Sequence, residues 1–114
     1  MVGPAATPEP PYFAVIFTSL RTADDAEGYA QMSQLLDELA AAQPGFLGIE
    51  STRGSDGVGI TVSYWQSRQA IAAWREEATH QVAQRLGHDR WYQWYHIRIC
   101  EVFAARGSHA LDEQ

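Results

Sequence analysis

The strongest constraint on this chain is a turn. Ser55-Asp56-Gly57 separates FLGIESTRG (46–54) from VGITVSYW (58–65), two runs rich in β-branched and aromatic residues. Asp-Gly between such runs is a hairpin signal, because glycine supplies the positive φ that a tight turn requires. Two antiparallel neighbours are thereby fixed in mid-chain, and the remaining elements must be arranged around them.

Residues 12–20, YFAVIFTSL, read as a first strand between Pro11 and Arg21. The period then changes. Tyr29, Met32, Leu36 and Leu39 recur at helical spacing within 22–43, with Asp24 or Thr22 as N-cap and Pro44-Gly45 as the stop. A second helix is predicted over 67–86, with Ile71, Trp74, Ala78, Val82 and Leu86 on one side and Gly87 at its end. GHDRWYQW (87–94) is an aromatic linker with room for one helical turn, and YHIRICEVF (95–103) alternates as a last strand. The order β-α-β-β-α-β is the ferredoxin-like split βαβ arrangement, an α+β fold with both helices on one face of a four-stranded antiparallel sheet. Residues 1–11 read as a flexible Pro-rich arm, 12–104 as the domain and 105–114 as a polar tail.

The second sheet face decides the assembly. Ile60, Val62 and Tyr64 oppose Thr61, Ser63 and Trp65 in the third strand. In the last strand Tyr95, Ile97, Ile99 and Phe103 oppose Trp94, His96, Arg98, Cys100 and Val102, and the first strand is apolar on both sides. A sheet apolar on both faces is not left in water, so a homodimer through the bare faces is expected.

Charge and cysteine content exclude several classes. Eight Lys+Arg against 14 Asp+Glu give a net charge of −6, and no basic stripe exists to displace counterions from nucleic acid or to hold an anionic membrane. No apolar run approaches the roughly 18 residues of a membrane span, and MVGPAATPEPP lacks the regions of a signal peptide, so a cytoplasmic protein is expected. Cys100 is the single cysteine, read as a small buried hydrophobe rather than a nucleophile. Histidines 80, 88, 96 and 109 show no ligand spacing, so no metal site is expected, and no glycine-rich phosphate loop is present.

Tyr64-Trp65-Gln66-Ser67, Ala70-Ile71 and Trp74 resemble the strand-to-helix signature of antibiotic biosynthesis monooxygenase domains. Ala78-Thr79-His80, Ala83-Gln84-Arg85, Gly87, Trp91-Tyr92 and Tyr95 through Val102 extend the likeness, which covers roughly residues 12–104. The resemblance implies a dimeric α+β barrel with a pocket in each subunit between sheet and helices, and a tryptophan of the second helix inside it at the place of Trp74. Its members include cofactor-free oxygenases of aromatic polyketides and haem-degrading oxygenases. The latter use an asparagine on the first strand, that tryptophan and a later histidine. This chain has no asparagine, and His80 lies only six residues after Trp74, closer than in those members. The expectation is therefore a cofactor-independent monooxygenase of an aromatic or quinone-like molecule. The alternative is a non-catalytic dimer that binds a small apolar ligand or haem.

The candidate catalytic residues are His80 as base, Trp74 as wall and Tyr64 as donor. Candidate substrate contacts are Phe17, Ile71, Tyr92 and Arg98. Two of these assignments are conditional. His80 lies about 120° around a straight helix from Trp74, at ~100° per residue, and reaches the pocket only if the helix bends near Ala78-Thr79. Tyr64 joins the pocket if Ile60 and Val62 face the helices, which would send Trp65 to the dimer side or the rim. Arg98 is either an anchor for an anionic substrate or half of a dimer salt bridge to Glu50 or Glu101.

Overall fold

A computed structural model describes residues 3–85 and 88–108. The elements are β1 (Tyr12–Arg21), α1 (Ala26–Ala42), β2 (Phe46–Arg53), β3 (Val58–Trp65), α2 (Arg68–Arg85), the single turn α3 (His88–Trp91) and β4 (Tyr92–Val102). The sheet is antiparallel throughout in the order β2-β3-β1-β4, with β1 pairing both β3 and β4. The predicted α+β ferredoxin-like fold is the one observed. Gly87, the expected stop of α2, and Leu86 lie outside the described residues.

The start of α1 corrects the expected cap. Asp25, rather than Asp24 or Thr22, is the N-cap, in a left-handed conformation (φ 52°) that aspartate tolerates better than most residues. Its carboxylate accepts the Gly28 N–H at 3.2 Å and the Trp91 indole N–H at 3.1 Å, tying α1 to α3. Thr22 instead donates its hydroxyl to the Arg90 carbonyl. Its N–H meets the Trp91 carbonyl at 2.9 Å, and a register shift at Leu20/Arg21 lets Tyr92 pair with Arg21. These bonds carry β4 back to Tyr92, three residues before its expected start.

The faces of the sheet also differ from the conditional reading. Phe13, Val15 and Phe17 of β1, Thr61, Ser63 and Trp65 of β3, and Ile97 and Ile99 of β4 turn toward the helices. Ile60, Val62 and Tyr64 lie on the bare face. Trp65 is completely buried against Ala40, Ala70 and Ile71, forming the core with Phe13, Phe46 and Trp74 around it. The polar Thr61 and Ser63 are therefore on the inner side, and the apolar Ile60 is 43% exposed on the outer one.

The bare face shows Val58, Ile60, Trp94, His96, Arg98 and Cys100 to solvent. Cys100 is exposed in the single chain, not buried as expected, because β4 is an edge strand left open on both faces. The arm reaches this region: the Ala5 N–H donates to Glu50 Oε2 at 2.9 Å, and the Thr7 hydroxyl bonds that of Tyr12 at 2.9 Å.

Candidate active site

Between the sheet and the two long helices lies a mainly apolar cavity of about 420 Å³, within the size range of small-molecule sites. α2 contributes Ile71, Trp74, Arg75, Ala78, Thr79 and Val82, a single continuous helical stripe. α1 contributes Tyr29, Met32, Ser33, Leu36, Asp37 and Ala40 by the same rule. The sheet forms the floor.

One end of the cavity is a tryptophan wall. Trp74 stacks on Trp65 with ring centres 6.1 Å apart and planes 20° from parallel. Phe46 meets Trp65 edge-on at 5.4 Å. The Trp65 indole N–H, sealed from water, donates to Ser63 Oγ at 2.9 Å, which explains a serine on the inner face. The Trp74 indole makes no hydrogen bond to the described residues and is not sealed, so its N–H stays open to a guest.

The other end is polar. The side chain of Arg53 crosses β3 at Gly59, where a Cβ would come within 2.4 Å of the guanidinium carbon. The guanidinium donates to the Ser19 carbonyl (3.3 Å), Ser19 Oγ (2.9 Å), the Gly57 carbonyl (2.6 Å) and the Tyr29 hydroxyl (3.4 Å). Tyr29 and Tyr92 rings meet edge-on at 5.7 Å, and Phe17 packs on Tyr92 at 5.4 Å. Arg21 lies over the Tyr29 ring at 3.8 Å. Burial and its hydrogen bond to Tyr29 push the Tyr92 phenol well above its ordinary pKa, so it remains a neutral donor at physiological pH.

Asp37 is the one carboxylate among the described cavity-lining residues. It stands on the solvent-open side of the cavity, and partial desolvation there raises its pKa above the ordinary carboxylate value, the direction that suits a general base. Sequence reasoning missed it, although its spacing of eight from Tyr29, with Ser33 between, places all three on one helical stripe.

The sequence candidates divide. Phe17, Ile71, Trp74 and Tyr92 all line the cavity. His80 is a correction: it is exposed and outside the cavity lining, because the α2 stripe runs straight through Ala78 and Val82 without the bend that would have turned it inward. Tyr64 is a second: period-2 alternation puts it on the bare face, edge-on to Tyr12 at 5.9 Å and donating to Glu50 Oε1 at 2.7 Å. Arg98 is a third, exposed on that same outer face opposite Ile16. Glu50, one of its two suggested partners, accepts from Tyr64 and Ala5 within the chain. Among the described residues no cluster of three or more metal-ligating side chains converges, and no helix is long and apolar enough to cross a membrane.

Residues 11–86 match the family model for antibiotic biosynthesis monooxygenase. The chain belongs to the antibiotic biosynthesis monooxygenase family. Among its relatives is the uncharacterised protein YqjZ of Bacillus subtilis, 51% identical over 96 residues that span 84% of this chain and 83% of that one. Another is the jasmonate monooxygenase ABM of Pyricularia oryzae, 31% identical over 103 residues. The match covers 87% of this chain but 47% of that longer protein, about half its length. Solved structures share the fold. SnoaB, a cofactor-independent oxygenase from Streptomyces nogalater, superposes with a TM-score of 0.61 at 17% identity over 85% of this chain and 95% of that one. Protein SO0527 from Shewanella oneidensis gives 0.69 at 10% identity over 83% and 94%.

Proposed function

We propose that this member of the antibiotic biosynthesis monooxygenase family is a cofactor-independent monooxygenase of an aromatic or quinone-like small molecule. The observation that carries the reading is the convergence of Trp74 and Asp37 on one mainly apolar cavity. The fungal relative named for jasmonate monooxygenation supports the reaction type.

The chemistry draws its electrons from the substrate. A CH₂ conjugated through aromatic rings to a carbonyl, as in an anthrone, loses a proton to Asp37. The carbanion passes one electron to dioxygen, and the radical and superoxide combine to form a C–O bond. The peroxide takes up a proton, and loss of water leaves a new carbonyl, so R₂CH₂ and O₂ become R₂C=O and H₂O. The protein supplies orientation between Trp74, Ile71 and Phe17, a base in Asp37, and a neutral donor in the Trp74 indole.

Dioxygen uptake with an anthrone tests this. The rate should rise with pH through the raised pKa of Asp37 and level off above it, because the base works ionised. Asp37→Asn should remove that limb and lower kcat by about 10²–10⁴, and Trp74→Phe should cost about tenfold through lost orientation. His80→Ala should leave the rate unchanged. Saturable binding of anthrones or haemin with no uptake in any variant would make the chain a ligand-binding protein instead.

The reading places the domain in a homodimer through the bare face, where Val58, Ile60 and Trp94 are 36–45% exposed. The solution mass of the purified chain checks it.

A further inference from the structure

The polar end of the cavity holds a cation without an anion. Arg53 donates to two backbone carbonyls and two hydroxyls. These partners orient a guanidinium but do not neutralise it, and among the described residues no carboxylate lies within ion-pair distance of it. Arg21, the second guanidinium on Tyr29, sits by the carboxylate of Asp25 outside the cavity lining. Asp37 is two turns along α1 from Tyr29, roughly 12 Å away at 1.5 Å per residue.

The placement of Arg53 is built into the backbone. Glycine at position 59 is what allows the guanidinium to lie flat across β3 and reach the fully buried Ser19 on β1. Beside it, the phenols of Tyr29 and Tyr92 bring hydroxyls to the same end of a mainly apolar space. The four terminal N–H groups of Arg53 are taken by its carbonyl and hydroxyl partners, so what the site offers a carboxylate is the uncompensated guanidinium charge in a partly desolvated place and a phenol hydroxyl to donate, with ring walls for the rest of the ligand.

We propose that Arg53, Tyr29 and Tyr92 form an anion-anchoring subsite, so that the guest of this cavity is an apolar ring compound carrying a carboxylate at one end. The inference rests on the small-molecule reading above. It orients the guest: the carboxylate seats at Arg53 and the ring body extends toward Trp74 and Asp37, where the reacting carbon would lie.

The test is a matched pair of ligands. Anthraquinone-2-carboxylate and its methyl ester are titrated against the full chain at pH 7, following quenching of tryptophan emission. The acid should bind at least tenfold more tightly than the ester. Gly59→Ala should erase that preference while leaving ester affinity intact, because the new Cβ displaces the far end of a flexible side chain without touching the sheet. Tyr92→Phe should also reduce the preference. Equal affinity for acid and ester in the wild-type chain would overturn the subsite but leave the cavity reading standing. A preference that persists undiminished in both variants would place the anion elsewhere and also overturn it. Failure of both ligands to bind would overturn the subsite together with the small-molecule reading.

Discussion

Removing one oxygen beneath Trp65 should cost more than its size suggests. Ser63→Ala deletes little volume, but it leaves the Trp65 indole N–H, fully buried and bonded to Ser63 Oγ at 2.9 Å, without an acceptor. An orphaned buried donor costs about 1–3 kcal/mol. Such a loss corresponds to about 4 °C or more in Tm per kcal/mol for a small domain. The decisive measurement is a double-mutant cycle by thermal or urea unfolding at fixed protein concentration, since assembly would make the midpoint concentration-dependent. Trp65→Phe removes the donor, so Ser63→Ala in that background should cost under about 0.5 kcal/mol, leaving a coupling near 1 kcal/mol or above. Equal costs in the two backgrounds would refute the argument: Ser63 would then matter for its packing and not for the bond.

Two further outcomes follow from local geometry. Asp25 is held below its ordinary pKa by the Trp91 indole N–H and then by the Gly28 N–H. Its contribution is therefore present above the unfolded carboxylate pKa and lost as pH falls through the lower folded value. Asp25→Asn, which keeps the left-handed backbone, should flatten that acid limb in a stability-versus-pH series. Gly45 has φ 87°, and a Cβ there would lie 2.7 Å from the Cβ of Ala70. Gly45→Ala should thus destabilise by more than about 1 kcal/mol in urea unfolding, combining backbone strain with a clash in the core.

The architecture was legible because its signals are local. Asp56-Gly57 makes its turn with Gly57 at φ 91°, and the run Tyr29, Met32, Leu36 lines one face of α1 as its spacing predicts. Which sheet face looks inward was not legible, and β3 shows why. Its inner side carries Thr61 and Ser63, where Ser63 serves the buried indole, while Ile60 and Val62 occupy the bare face. Alternation reports that two faces differ but not which one a helix covers. His80 turned on the straightness of α2, a property of packing rather than composition. Arg53 and Asp37 went unseen for another reason: each becomes notable only through a neighbour that the fold brings against it. For Arg53 that neighbour is Gly59 across the hairpin, whose missing side chain makes the room.

The pairing of Tyr12 with Val102 brings the first and last residues of the sheet side by side, although 90 positions separate them along the chain. In chain order the domain nearly closes on itself, its two ends meeting at the seam where β1 pairs with β4. Closing that seam during folding means ordering the longest loop in the molecule, after the hairpin and both helices have had the chance to form. Relative to a five-residue linker, the entropic cost of such a closure is about 2.5 kcal/mol. The edge strand β4, which pairs only across that seam, is therefore expected to be the late arrival, and the seam sets the pace at which the cavity floor, shared by Val15, Phe17, Ile97 and Ile99, comes into being.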